Sequence, residues 1–162
     1  AFGAILCSAS DGHRVVTGGD DGKLVATDAK GATTTLATDT KRRWIDNVAR
    51  RFPDVKIVMA HLSHPYEGEC VVTIRKHPNV YADISALHYR PFQFYQSLML
   101  VQEYGVWSKL LFGSDYPFTT VNATIRDLRK MNEMVAGTGL PRLNLEQIEA
   151  LIVRDTRTIL GL

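Results

Sequence analysis

Two apolar runs, each ending abruptly in residues that can carry chemistry, constrain this chain more than anything else in it. Val55-Lys-Ile-Val-Met-Ala-His61-Leu-Ser-His64-Pro65 and Leu110-Leu-Phe-Gly-Ser-Asp115-Tyr-Pro-Phe118 each read as a buried-type strand closed by a metal ligand or an acid–base group. Near-continuous apolar strands are covered on both faces, and chemistry at their ends suits the C-terminal face of a parallel β/α barrel. Metal-assisted hydrolysis is the first chemistry such an arrangement suggests.

The surrounding pattern supports parallel units. Trp44, Ile45, Val48, Ala49 and Phe52 fall at helical spacing, and Pro53 stops that helix before the strand over residues 55 to 61. A second helix is expected from Tyr66 to Lys76, leading into a strand from Val80 to Ile84. Pro91 opens a third helix to about Tyr104, followed by a strand from Lys109 to Gly113. Two further helices are expected near 120–136 and 144–153, split by the breaker Gly137-Thr-Gly-Leu-Pro141. Strands alternating with helices of this length mean βαβ units.

Residues 1 to about 38 have a different character, rich in Gly, Thr, Val and Asp. Ala4–Ser8, Arg14–Thr17, Lys23–Thr27 and Thr33–Ala37 read as four short strands, joined through Asp11-Gly12, Gly18-Gly-Asp-Asp-Gly22 and Lys30-Gly31. The expected fold class is therefore α/β: a four-stranded antiparallel meander, then a partial barrel of about three parallel β/α units with C-terminal helices. The segments are 1–40 and 41–162, with the junction in residues 38–50.

Composition narrows the function. With 45% apolar and 22% charged residues, the 162-residue chain is that of a folded globular protein. A net charge of +2 gives no reason to expect nucleic acid or a membrane as partner, and Lys41-Arg-Arg43 reads as a solvated helix face. Cys7 and Cys70 form no CxxC pair, so reduced thiols in a cytoplasm are expected. No apolar stretch is long enough to span a bilayer, and there is no secretory leader pattern. The chain opens on Ala rather than Met, as a processed or excerpted chain does.

Within the first segment, Val15-Val-Thr-Gly-Gly-Asp-Asp-Gly-Lys-Leu-Val-Ala-Thr-Asp28 resembles one blade of a WD-repeat propeller, with Thr27 where that family has Trp. Several blades make a propeller, and no second repeat is present. Val58-Met-Ala-His-Leu-Ser-His-Pro65, Asn79-Val-Tyr-Ala-Asp-Ile-Ser85 and Leu111-Phe-Gly-Ser-Asp-Tyr-Pro-Phe118 resemble the amidohydrolase-related family of metal-dependent hydrolases and decarboxylases, whose fold is a distorted TIM barrel. The resemblance implies that His61 orients or protonates the substrate. It also implies that Asp115 binds metal and takes the proton of the metal-bound water. The family's His-x-His pair and mid-barrel His or Lys ligand have no counterpart here. A barrel domain takes about 250 residues, so residues 44–162 look like its last three β/α units, joined as a chimera to one blade.

Catalytic zinc takes about three protein ligands plus water. His61, His64, His88 and Asp115 would project from one end of the parallel sheet and form the candidate metal set, for zinc or manganese. The plainer reading makes these residues loop caps and local hydrogen-bond partners. His13 and His77 are expected in solvent, Cys70 as a small buried apolar group, and the aromatic series Tyr89, Phe92, Phe94, Tyr95, Tyr104 and Trp107 as packing. Two functions compete. One is a metal-dependent hydrolase of small-molecule esters or phosphoesters, with Asp115 and His61 catalytic. The other is a non-catalytic chimeric or truncated domain that pairs into a homodimer through its open edges.

Overall fold

The computed structural model describes residues 5–10, 14–19, 23–38 and 44–161. The hairpin turns expected at 11–12 and 20–22, His13 and the basic run 41–43 lie outside them. Strands β1 (Ile5–Ser10), β2 (Arg14–Gly19), β3 (Lys23–Asp28) and β4 (Thr33–Thr38) pair antiparallel in succession. The β3–β4 turn is built by Asp28, whose Oδ1 accepts from the backbone N–H of Lys30 and of Ala32, both at 2.9 Å. Gly31 there takes φ 83°, a left-handed conformation open to glycine without penalty.

Helix α1 (Trp44–Arg51) leads to β5 (Ile57–Met59), α2 (Glu67–Lys76), β6 (Val80–Asp83), α3 (Pro91–Glu103) and β7 (Leu110–Leu111). Then come α4 (Val121–Lys130), α5 (Leu145–Ile152) and the short α6 (Thr156–Leu160). Strands β5, β6 and β7 run parallel, and one mixed sheet of order β4-β3-β2-β1-β5-β6-β7 holds all seven. The two halves join through an antiparallel pairing of β1 with β5, Cys7 opposite Met59 and Ser8 opposite Val58. The last parallel strand is only two residues long, because Lys109 belongs to a preceding 3-10 turn and the chain leaves the ladder at Phe112. No helix among the described residues is long and apolar enough to cross a membrane.

The core lies under the parallel strands. Phe94, Leu98 and Val101, spaced at one helical face of α3, are fully buried with Cys70, Val71 and Ile74 of α2 and with Val80 and Ala82 of β6. Of the aromatic series, Phe94, Tyr95 and Trp107 pack inside, whereas Tyr89, Phe92 and Tyr104 are exposed. Burial pushes the Cys70 thiol up to about 12, so it is the inert apolar group expected.

Two polar clamps fix the strand starts. The Asn79 amide Nδ2 faces the carbonyls of Ala49, Phe52 and Val55 at 3.3, 3.1 and 2.9 Å, tying the end of α1 to the entry of β5. Arg154 Nη1 donates to the carbonyls of Trp107 and Leu110 at 2.6 and 2.7 Å, holding the C-terminal helices against β7.

His77 corrects an expectation. Rather than lying in solvent it is buried, its Nε2 2.7 Å from Asp46 Oδ1, because the end of α2 docks on α1. Lys76 donates to the same oxygen at 2.6 Å. The hydrogen bonds from Lys76 and then His77 lower the Asp46 carboxyl from 3.8 to about 2. A folded-state value below the unfolded one contributes stability that is present above the unfolded pKa and lost as pH falls through the folded one. Thermal melts should therefore show wild type losing its margin over Asp46→Asn between about pH 4 and pH 2. A margin independent of pH in that window would contradict the pairing.

Candidate functional site

The C-terminal ends of all three parallel strands turn through left-handed, non-glycine residues. After β5, His61, Leu62 and Ser63 have φ of 54°, 50° and 57°; after β6, Ala86 has 61°; after β7, Asp115 has 70°. Left-handed backbone costs a side-chain-bearing residue roughly 1–2 kcal/mol, and such outliers concentrate where function holds them. Both residues singled out as catalytic, His61 and Asp115, are among the five. The sharp turns lift their side chains off the strand ends.

His61 is anchored by the neighbouring strand. Its backbone N–H donates to Asp83 Oδ1 at 3.1 Å, and its Nδ1 lies 2.7 Å from Ser85 Oγ. The same Asp83 oxygen accepts from the Ser85 backbone N–H at 3.0 Å and from the Ser85 hydroxyl. Asp83 and Ser85 are two residues apart, so the period-2 geometry of a strand leaving the sheet sets them side by side. Burial works against ionisation of Asp83, but the hydrogen bonds from His61 and Ser85 outweigh it and hold the carboxyl below its ordinary value.

The His61 imidazole is raised above 6.5, first by Asp83 and against the effect of burial, with the Asp115 charge adding to the rise. Since Nδ1 stands 3.7 Å from Asp83 Oδ1, the carboxylate reaches the ring through the Ser85 hydroxyl rather than by direct contact. The His61 side chain is 39% exposed, and the ring edge turned to Ser85 and Asp83 is the Nδ1 edge. Nε2, on the opposite edge of the ring, is therefore the atom to consider for a ligand.

Gly113 lets the β7 extension approach this cluster. A Cβ there would sit 3.2 Å from Ser85 Cβ, so any side chain would press on that anchor, and 3.8 Å from Asp83 Cβ, an ordinary contact. The following Ser114 is buried, and Asp115 closes its own turn, its carbonyl accepting from the N–H of Phe118 at 2.9 Å. Tyr116 and Phe118, at 80% and 85% exposure, form an apolar rim beside it.

The other two candidates are engaged elsewhere. His64 Nδ1 pairs with Glu67 Oε1 on the first turn of α2. His88 is buried, its Nδ1 2.9 Å from Asp127 Oδ2 of α4, and its Nε2 has no partner among the described residues. Thus Asp115 is near enough for its charge to act on His61, while His64 and His88 are held by carboxylates of adjacent helices. Among the described residues no three His, Cys, Asp or Glu side chains converge to hold a metal ion. Asp83 and Ser85 lie within the Asn79–Ser85 motif, and their D-x-S spacing at a strand end is the signal by which the sequence marks them.

His61 and Asp115 thus stand just beyond strand ends of parallel β/α units, the end at which barrel enzymes carry their sites. The family model described as Amidohydrolase matches residues 11–151, and the chain belongs to that family. The match begins inside the segment that resembles a propeller blade, and that blade resemblance finds no support. A search of curated proteins gives no match. The family usually binds metal, but the described residues of this chain do not by themselves supply a metal centre.

Proposed function

We propose that the chain is a hydrolase of small-molecule esters or phosphoesters, built on a partial β/α barrel, with His61 and Asp115 as its working groups. The observation that carries this reading is the pair of left-handed strand ends, which set a part-exposed imidazole within reach of the Asp115 charge. Protonated His61 donates from Nε2 to the carbonyl or phosphoryl oxygen of the substrate. Asp115 accepts a proton from the attacking water as the oxygen–carbon or oxygen–phosphorus bond forms. The bond to the leaving alkoxide then breaks, and that oxygen takes up a proton from the same pair. A divalent ion, zinc or manganese, would need donors beyond the described residues, such as a second copy of the chain.

A homodimer is the second reading. It is favoured by the position of β7 at the end of the sheet and by the exposed Tyr116 and Phe118 beside it.

The test is a panel of activated carboxylic and phosphate esters assayed with wild type and Asp115→Ala, with metal content and mass by light scattering measured on the same samples. Turnover by wild type that falls at least tenfold in Asp115→Ala supports the hydrolase. A wild type without turnover on any ester, whether as monomer or dimer, would overturn it.

A further inference from the structure

The hydrogen bonds around His61 determine which of its nitrogens carries the proton. Asp83 Oδ1 accepts the backbone N–H groups of His61 and Ser85, and with that role fixed it also accepts from the Ser85 hydroxyl. A hydroxyl has one hydrogen, so with that hydrogen directed at Asp83, Ser85 Oγ meets His61 Nδ1 with lone pairs alone. The 2.7 Å contact therefore requires Nδ1 to donate. Two further features keep this chain in place. Ser85 is buried, and Gly113 leaves no side chain to compete for the space.

We propose that Asp83 and Ser85 are positioning residues that hold His61 in its Nδ1–H form, so that Nε2 is the nitrogen offered to the substrate. The arrangement suits a group that donates a proton from Nε2. After transfer the neutral ring keeps its Nδ1 proton on Ser85, and no rearrangement is needed before Nε2 is reprotonated. A solvated imidazole prefers the opposite, Nε2–H, form, which would present the substrate with a donor in the neutral ring and no acceptor. The value of this device for turnover rests on the hydrolase reading, but the tautomer itself does not.

Proton–nitrogen correlation spectra of the imidazole, recorded at alkaline pH where the ring is neutral, read the tautomer directly. Wild type should show His61 as Nδ1–H, and Ser85→Ala and Asp83→Ala should each convert it to Nε2–H. The amide spectrum identifies whichever variant remains folded. If the hydrolase reading holds, the same variants lower kcat by roughly ten- to a hundredfold with a smaller change in KM. An Nε2–H ring in wild type, or an Nδ1–H ring that survives in a folded Ser85→Ala, would overturn the proposal. So would covalent labelling of Ser85 by a fluorophosphonate, since that hydroxyl would then be acting as a nucleophile. Loss of the tautomer preference with no ester turnover in any form would leave the relay standing and remove the hydrolase.

Discussion

His61→Ala is expected to lower kcat/KM for an activated ester by roughly 10²- to 10⁴-fold, the range removed with a positioned general acid or base. The size follows from how much of the local structure is committed to that ring. Its backbone is left-handed, its amide is anchored on Asp83 of β6 and its Nδ1 on Ser85 just beyond that strand, and its side chain is still 39% exposed. The loss should fall mainly on kcat, since the imidazole interacts most strongly with charge that develops in the transition state. A change confined to KM would mean that His61 binds substrate without taking part in the reaction.

Phe94→Ala should be the most damaging single truncation in the core. Phe94 has no exposed surface and is the largest of the fully buried side chains, set where α3 packs on α2 beneath the parallel strands. Removing the ring loses its transfer free energy and leaves a cavity that the surrounding Leu98, Val101 and Ile74 can fill only in part. The cost is about 3–5 kcal/mol. Denaturant titration should move the midpoint by that amount at an unchanged slope, with Tm lower by on the order of 10 °C. A loss below about 1 kcal/mol would mean that the site collapses freely, against the packing described.

The parallel half of the fold is legible because its signals are local. Pro91 at the start of α3, the apolar spacing of Phe94, Leu98 and Val101, and the breaker before α5 each act through a few neighbouring residues, and the observed helices differ from expectation by a residue or two at most ends. The exceptions have physical causes. The helix expected over 120–136 ends at Lys130, and Met131–Val135 tighten into a 3-10 turn; α6 is short and held by the Asp155 cap, a feature without apolar periodicity.

The site was legible at its endpoints and not between them. His61 and Asp115 stand out as polar residues ending apolar runs. His64 and His88 did so equally, and only tertiary packing shows that Glu67 and Asp127 engage them. His77 illustrates the same limit, since its partner Asp46 lies 31 residues away in sequence. The roles of Asp83, Ser85 and Gly113 depend on strand register: β6 beside β5 brings the D-x-S pair to His61, and β7 beside β6 brings Gly113 against Ser85. Nothing within a single strand states its neighbour.

The central claim is that His61 and Asp115 act as one acid–base unit, and a double-mutant cycle on kcat/KM tests it most directly. Groups that act together are strongly non-additive, so His61→Ala/Asp115→Ala should be no more than a few-fold slower than the worse of the two single variants. Losses that multiply, or a double variant as active as wild type, would contradict the account.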